Sequence, residues 1–284
     1  MTELVLATRG SPLALAQARL VAAAIEERRP DVAIRLLVVT TTGDRDRTTP
    51  VTALTELGAF VRAVQAAVLA GEADLAVHSA KDLPVDGSDR LVAYHPARAD
   101  AADALVGVSL DDLADRARVG TGSPRREAQL RILRPQVEVV PIRGNVDTRV
   151  GLVGSSVDAV VLAVAGLERV GLSDRIAHRF ELDEMVPAPA QGALTVEVLP
   201  GTFAEEVAAS LADPDTTRAV ATERALLEIT GAGCRAALGA HAVTDDDRIS
   251  LHVFVSDDRG PRRTVVVGSD PLDVAQAAAK ELGL

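Results

Sequence analysis

The sequence has little aromatic content and almost no lysine. Aromatics make up 2% of its 284 residues, with no tryptophan, four phenylalanines and one tyrosine. The core must therefore be built from Ala, Val, Leu and Ile, and a stacking platform for single-stranded nucleic acid is excluded. One cysteine, Cys234, excludes an internal disulfide framework. With five histidines that lack ligand spacing, it gives no zinc pattern, and no metal is expected. No apolar run approaches the ~20 residues of a membrane span. The opening Met1-Thr2-Glu3 carries no cationic stretch, so a cytoplasmic protein is expected. Walker, G-x-G-x-x-G and G-x-S-x-G elements are absent.

What is present is an ordinary globular composition, 48% hydrophobic and 25% charged. Thirty basic residues against 41 acidic give a net charge of −11, which discourages non-specific nucleic-acid or anionic-membrane binding. Any anion must be met by a local arginine cluster. Arginine replaces lysine almost everywhere: Lys81 and Lys280 are the two lysines, and Asn145 is the one asparagine.

The chain opens as α/β. Leu4-Val5-Leu6-Ala7 reads as a strand, and Ser11-Pro12 starts a helix running to about Arg28, with serine as N-cap and proline at N1. A strand over 34–39, a polar loop over 40–50, a helix over 60–70 and a buried strand over 74–78 follow. From Asp100 the pattern restarts: a strand ending at Gly120, a helix opened by Ser123-Pro124, a strand over 137–142, a helix over 146–153 and a buried strand over 158–165. Gly10-Ser11-Pro12 and Gly122-Ser123-Pro124 hold equivalent places, which predicts two similar α/β lobes with a cleft between them. Residues 187–189 read as a hinge, and 193–198 as a strand returning to the first lobe. The last block, a helix over 217–229, three strand-like runs and a closing helix over 271–282, predicts a small α+β domain with a three-stranded antiparallel sheet.

Candidate chemistry gathers at the ends of strands. Arg125 and Arg126 fall in a first helical turn, where the helix dipole disfavours cations. Either an anion sits on that terminus or the two are simply solvated. Arg143-Gly144-Asn145, with Arg149, follows a strand at the edge where open α/β sheets bind ligands, and arginine forks suit carboxylates. A plain structural turn is the alternative. With Arg9 these arginines make a cationic pocket, and the ligand it implies carries several carboxylates. His78-Ser79-Ala80-Lys81-Asp82 also follows a buried strand. Asp82 is either a general acid/base or half of an exposed loop pair with Lys81, and His78 reads as a satisfied core histidine. Cys234, in Gly231-Ala232-Gly233, is either a nucleophilic or attachment thiol or a small buried hydrophobe.

Seven segments in order resemble one family. They are Ala7-Thr8-Arg9-Gly10-Ser11-Pro12-Leu13-Ala14; Ala76-Val77-His78-Ser79-Ala80-Lys81-Asp82-Leu83-Pro84; Gly120-Thr121-Gly122-Ser123-Pro124-Arg125-Arg126; Arg143-Gly144-Asn145-Val146-Asp147-Thr148-Arg149; Leu162-Ala163-Val164-Ala165-Gly166-Leu167; Pro187-Ala188-Pro189-Ala190-Gln191-Gly192-Ala193; and Gly233-Cys234. Together they resemble the porphobilinogen deaminase (hydroxymethylbilane synthase) family. The resemblance implies an α/β fold of two periplasmic-binding-protein-like lobes plus a small α+β C-terminal domain: residues 1–97 with 193–213, residues 98–192, and residues 214–284. It implies a monomeric transferase of tetrapyrrole biosynthesis that condenses four porphobilinogen molecules, releasing ammonia, on a dipyrromethane cofactor held by thioether to Cys234.

By the same resemblance Asp82 is the catalytic carboxylate, stabilising an azafulvene-like cation. Lys81, Asp82, Thr121, Ser123, Arg125, Arg126, Arg143, Gly144 and Arg149 would hold the cofactor. Arg9, Ser11, Gln17, Phe60, Arg143 and Arg149 would hold substrate. The chain departs from the family pattern at several positions: Ala53 and Leu57 stand where loop lysines are usual, Ala101-Ala102 where Pro-Arg is, Gly122 and Pro124 for Ser and Leu, and Ala232 for Gly. The C-terminal domain also reads as shorter than in many relatives. Two other classes fit a two-lobed α/β chain: a non-enzymatic receptor for a small polyacid, in which Asp82 is dispensable and Cys234 unmodified, and a transcription regulator's effector domain, which needs a DNA-binding block for which no length is left.

Overall fold

A computed structural model describes residues 1–39, 53–85, 87–231 and 237–284, with the side chains of 53–57 and 59 excepted. The expected loop over 40–50, the Ala53 and Leu57 side chains, Ala232 and Cys234 lie outside the described residues.

The chain divides into two compact units, residues 1–98 with 193–217 and residues 99–192 with 218–284. In the first unit the order is β1 (Thr2–Arg9), α1 (Pro12–Arg28), β2 (Val32–Val39), α2 (Ala53–Leu69), β3 (Leu75–Ser79), a 3-10 turn Ala80–Asp82, β4 (Val92–Tyr94), and later β10 (Leu194–Val198) and α6 (Phe203–Ala209). The sheet runs β2-β1-β3-β10-β4. β1 is parallel to β2 and β3, whereas β10 pairs antiparallel with β3 and β4. Both faces are covered, which is why β1 and β3 read as continuous apolar runs. Leu6, Leu75 and Val196 pack with Val21 and Ile25 of α1 and Val207 of α6 on one side; Ala7 and Ala76 pack with Val64 and Val68 of α2 on the other.

The second unit repeats this plan. Its elements are β5 (Asp103–Val106), β6 (Arg118–Gly120), α3 (Pro124–Leu133), β7 (Glu138–Val140), α4 (Val146–Val150), β8 (Ala159–Ala163), α5 (Val164–Arg169) and β9 (Ile176–Arg179), in the order β7-β6-β8-β5-β9. Here too the fourth strand is the antiparallel one. Alternation along β5 and β8 sends Leu105 and Val161 to one face, with Leu130, Phe180 and Met185. Ala104, Val106, Val160 and Leu162 go to the other, with Ile142 and Leu167.

The same unit contains α7 (Pro214–Thr230) from residue 218 onward, then β11 (Ala237–Asp245), β12 (Arg248–Asp257), β13 (Gly260–Gly268) and α8 (Pro271–Leu282). The three strands form an antiparallel sheet over a core of Leu226, Ile249, Leu251, Val253, Ala275 and Ala278. The α/β lobes and the α+β C-terminal sheet are thus the fold class expected from the sequence.

Several boundaries differ from expectation. The apolar run after Asp158 is not one strand to Ala165. β8 stops at Ala163 and the chain turns directly into α5. β8 and the first four residues of α5, 164–167, form one almost wholly buried apolar stretch, so hydrophobicity carries no period to separate them. α2 begins at Ala53 rather than near Phe60. The helix after Asn145 ends at Val150, one turn early. β4, β5, β9 and α6 are short and had no sequence counterpart.

β11 sits against the chain at 186–187. Ala240 N–H donates to Pro187 O at 2.9 Å, and a Cβ built on Gly239 would lie 2.7 Å from Val186 O and 3.1 Å from Pro187 O. Gly239→Ala is therefore expected to lower unfolding stability by about 1–3 kcal/mol, since backbone rather than a flexible side chain must yield. Urea denaturation checks this through a lower midpoint at unchanged slope.

Candidate functional site

In the first unit Ser11 caps α1, its Oγ accepting from Ala14 N–H at 3.3 Å, with Pro12 at N1 as expected. Arg9, the last residue of β1, is half-buried, and its guanidinium carbon lies 3.8 Å from the centroid of the Phe60 ring on α2. That is a cation–π stack between two sequence-predicted residues. Gln17 is buried, and its Nε2 donates to Ser79 Oγ at 2.8 Å. Its amide therefore ties α1 to the end of β3.

From Ser79 the chain turns through Ala80–Asp82, fixed by Ala80 N–H donating to Ala193 O at 3.0 Å. Lys81 and Asp82 are both half-buried there. Beneath the turn lies a polar group that the sequence reading did not assemble. Gln65 of α2 donates to both carboxylate oxygens of Glu197, each at 3.0 Å. His78 Nε2 stands 3.1 Å from Glu197 Oε2, at ion-pair distance without hydrogen-bond alignment. All three side chains are buried. His78 is buried as expected, but it is not the satisfied core histidine the sequence suggested, since its Nε2 has no aligned hydrogen bond.

In the second unit Ser123 caps α3 in the same way, accepting from Arg126 N–H at 3.4 Å. Thr121 is buried, and its Oγ1 accepts from Ser123 N–H at 3.2 Å. Arg143 and Gly144 are exposed, Gly144 at φ +110°, a conformation that favours glycine. Arg149 is half-buried, and its Nε donates to Gly144 O at 2.7 Å, closing the Arg143–Arg149 loop on itself.

Arg125 and Arg126 are not solvated; they are 4% and 7% exposed. Both meet a residue that the sequence reading missed, Asp103 at the start of β5, which is fully buried. Arg125 Nη1 lies 2.6 Å from Asp103 Oδ2 and 2.7 Å from Val186 O. Arg126 reaches Asp103 Oδ1 through Nε at 2.9 Å and Nη2 at 2.7 Å, and its Nη1 donates to Val161 O at 2.9 Å. Gln191 Nε2 donates to the same Oδ1 at 3.0 Å and to Ala101 O at 2.7 Å. The signal in the sequence was one acid in the apolar run Ala101-Ala102-Asp103-Ala104-Leu105-Val106.

Burial acts to raise the Asp103 carboxyl, but the Arg125 and Arg126 charges and their hydrogen bonds overcome it and hold the group well below the carboxylate range. Burial, with the like charge of Arg126, lowers Arg125 despite Asp103. Two positive charges against one negative leave the trio with one positive charge in excess. A second residue missed from sequence is Arg169, at the end of α5. It is mostly buried, donates to Gly192 O at 2.6 Å, and is lowered by desolvation.

The sign of the pH effect follows. A carboxyl depressed from the ordinary 3.8 stabilises the fold fully above that value and loses its contribution as pH falls toward the folded value. Stability is expected to be flat through neutral pH and to drop below about pH 4. In Asp103→Asn the drop should be shallower, as read by denaturant midpoints across that window.

Residues 4–205 match the family model described as "Porphobilinogen deaminase, dipyromethane cofactor binding domain". Porphobilinogen deaminase of Acidothermus cellulolyticus is 42% identical over an alignment of 296 positions, covering 99% of this chain and 89% of that one. Porphobilinogen deaminase of Deinococcus deserti is 40% identical, covering 100% and 95%. Among solved structures the methionine binding protein MetQ aligns at a TM-score of 0.46 with 12% identity, over 78% of this chain and 94% of that chain. An arginine-specific periplasmic binding protein of Salmonella typhimurium aligns at 0.42 with 11% identity, over 77% and 97%.

Proposed function

The chain belongs to the porphobilinogen deaminase family, transferases that join four porphobilinogen molecules head to tail with release of ammonia and hydroxymethylbilane in tetrapyrrole biosynthesis, and from that premise we propose how its residues divide the work. The observation that carries the proposal is the buried Arg125–Asp103–Arg126 trio with its excess positive charge. Each porphobilinogen bears an acetate and a propionate, and an acidic protein can hold such a ligand only through donors set locally against its net charge.

The donor set fits a dipyrromethane, which carries four carboxylates. Arg125 and Arg126 supply an ordered, under-neutralised cationic pair. Ser123 and Thr121 supply hydroxyls beside the same helix start, and Arg143, Gly144 and Arg149 a half-exposed second cationic loop. We assign these residues, with Lys81 and Asp82, to the cofactor, tied by thioether to Cys234. When bound, the dipyrromethane supplies the free pyrrole α-carbon to which the first substrate is joined, and it stays after product leaves.

Arg9, Ser11, Gln17 and Phe60, with Arg143 and Arg149, take the incoming substrate. Gln17 acts by fixing Ser79, and Arg9 reaches its carboxylate with its guanidinium steadied on Phe60. Asp82 is the catalytic carboxylate. Its half-buried position at the end of β3 suits a group that accepts from pyrrole N–H and stabilises the cation formed when the C–N bond of porphobilinogen breaks. The bonding pair leaves with ammonia, the new C–C bond forms at the exposed methylene carbon, and the α-proton is lost to restore aromaticity.

We further propose a cytoplasmic monomer with no nucleic-acid or membrane partner. The net charge of −11 disfavours nucleic-acid and anionic-membrane partners, and among the described residues no helix is long and apolar enough to cross a membrane. The three domains, 1–97 with 193–213, 98–192 and 214–284, are proposed as the units that carry this division of labour.

Intact mass tests the tether. Purified wild type, or wild type after addition of porphobilinogen, is expected to weigh more by two linked pyrrole units. Cys234→Ala is expected never to gain that mass. A wild type that never gains it moves the binding-module reading to the front. The catalytic assignment is tested separately: Asp82→Ala is expected to keep a cooperative thermal unfolding transition while turnover drops by about two orders of magnitude or more. Turnover near wild type removes Asp82 from its role.

A further inference from the structure

The trio raises a question that its stability alone does not answer. Asp103, at the start of β5 with no exposed surface, gives up all its hydration, and both arginines, 4% and 7% exposed, give up nearly all of theirs. Replacing such a buried ionic group by apolar residues is often neutral or stabilising, so burial of charge is a poor way to gain stability. What the arrangement does accomplish is geometric.

Each carboxylate oxygen is assigned to one guanidinium. Oδ2 takes Arg125, and Oδ1 takes the Nε and Nη2 edge of Arg126. Each guanidinium is then held at a second point on a different part of the unit, Arg125 at Val186 O and Arg126 at Val161 O of β8. Gln191 Nε2 also donates to Oδ1 and is itself held by Ala101 O. Two long, rotamer-rich side chains are thereby frozen in one arrangement before any ligand arrives. Asp103 also neutralises one charge of two, so the pair stays together without flying apart by like-charge repulsion.

Resting on the assignment of Arg125 and Arg126 to the cofactor's carboxylates, we propose that Asp103 is the positioning residue of that receptor: it sets the spacing and orientation of the two guanidiniums so that one ligand carboxylate meets a preformed pair carrying a single surplus positive charge. Gln191 orients Asp103 in turn. Asp103 touches neither ligand nor reacting atoms; it acts through the arginines.

The test is a double-mutant cycle on cofactor assembly. Wild type, Asp103→Asn, Arg126→Gln and the double variant are purified as apoproteins from cells that make no porphobilinogen. Each is given porphobilinogen, and the rate at which the two-pyrrole mass appears is followed by intact mass. Thermal unfolding of each apoprotein is recorded in parallel. Asp103→Asn is expected to slow assembly about tenfold or more in the wild-type background and by less than about threefold once Arg126 is Gln.

A residue that merely holds the fold together would shift the unfolding midpoint and leave assembly by the folded fraction at the wild-type rate. That result overturns the proposal, as does an equal slowing in both backgrounds. If Asp103→Asn does not fold, the same cycle is run with Gln191→Leu, which leaves every charge in place. A slowing of about threefold that vanishes in Arg126→Gln supports the proposal, and no slowing overturns it. Failures of the underlying assignment look different. A wild type that never gains the mass removes the cofactor, and an Arg126→Gln protein that assembles at the wild-type rate removes the arginine's role; either takes the proposal with it.

Discussion

A carboxylate with no exposed surface held between two guanidiniums is the constraint on which the second unit's organisation depends. Once Asp103 is charged inside the fold, it must be met. The donors come from two places, the first turn of α3 and Gln191, and the two arginines donate onward to the carbonyl oxygens of Val161 and Val186. Those contacts fix α3 over β5 and β8 and hold the 186–191 segment against the same point. The segment is also where β11 docks, at Pro187 O. Arg263 of β13 reinforces that seam, donating to Glu184 O at 2.9 Å and to Gln129 Oε1 at 3.3 Å, while Gln129 binds Val186 through both its amide atoms. The sheet that follows Cys234 in sequence and the arginine pair are thus anchored on one short stretch of backbone. Lysine could not replace Arg126 here, since a single ammonium nitrogen cannot span the carboxylate met by Nε and Nη2 and the Val161 carbonyl met by Nη1.

The two units use one local design for two purposes. Each has a strand, a short turn and a Ser-Pro-capped helix, and in each the serine hydroxyl accepts from the N–H three residues on. In the first unit the helix start carries neither acid nor base in its first turn, and the helix reaches across with Gln17 to steady Ser79. The segment so steadied ends in Lys81 and Asp82, with the buried Gln65–Glu197–His78 group behind it. In the second unit the first turn carries the two arginines. The dipole penalty this incurs is offset by Asp103 from below and leaves positive charge for an anion. On the proposed assignment, catalytic chemistry stands on a strand end in one unit, and anion recognition on a helix start in the other.

Much of this was legible in the residues. Ser-Pro starts fixed α1 and α3 to within a residue, and the antiparallel three-stranded sheet with its closing helix was readable from alternation and turn residues. What escaped has a common physical cause. β5, at four residues, is too short to show a period, and β8 runs into the buried first four residues of α5 as one apolar stretch. The arginines at 125 and 126 were legible as misfits with the helix dipole, but the anion expected there was one on the helix terminus, whereas the anion the structure shows is Asp103, bound by the guanidiniums. That the first anion is internal was not legible, because Asp103 lies 22 positions from Arg125 and only the strand order β8-β5 brings it beneath α3. Arg169 and Gln191 were hidden likewise: Arg169 meets the Gly192 carbonyl, and Gln191 meets the Ala101 carbonyl and Asp103, 88 positions away.

The placement of charge finally reconciles an acidic protein with a polyacidic substrate. A net charge of −11 opposes the approach of carboxylates, yet at physiological ionic strength that repulsion is screened beyond about 8 Å. Within that distance the groups nearest the ligand decide. Exposed donors such as Arg143 are themselves screened by salt, whereas the buried trio is not, and its surplus charge acts through a less polarisable surrounding where attraction is stronger. On the proposed assignment, the discrimination between a tetrapyrrole precursor and any other small anion rests on the spacing of fixed donors rather than on total charge. That spacing is what a carboxylate locked between two arginines supplies, and what twenty-odd further arginines scattered over the surface could not.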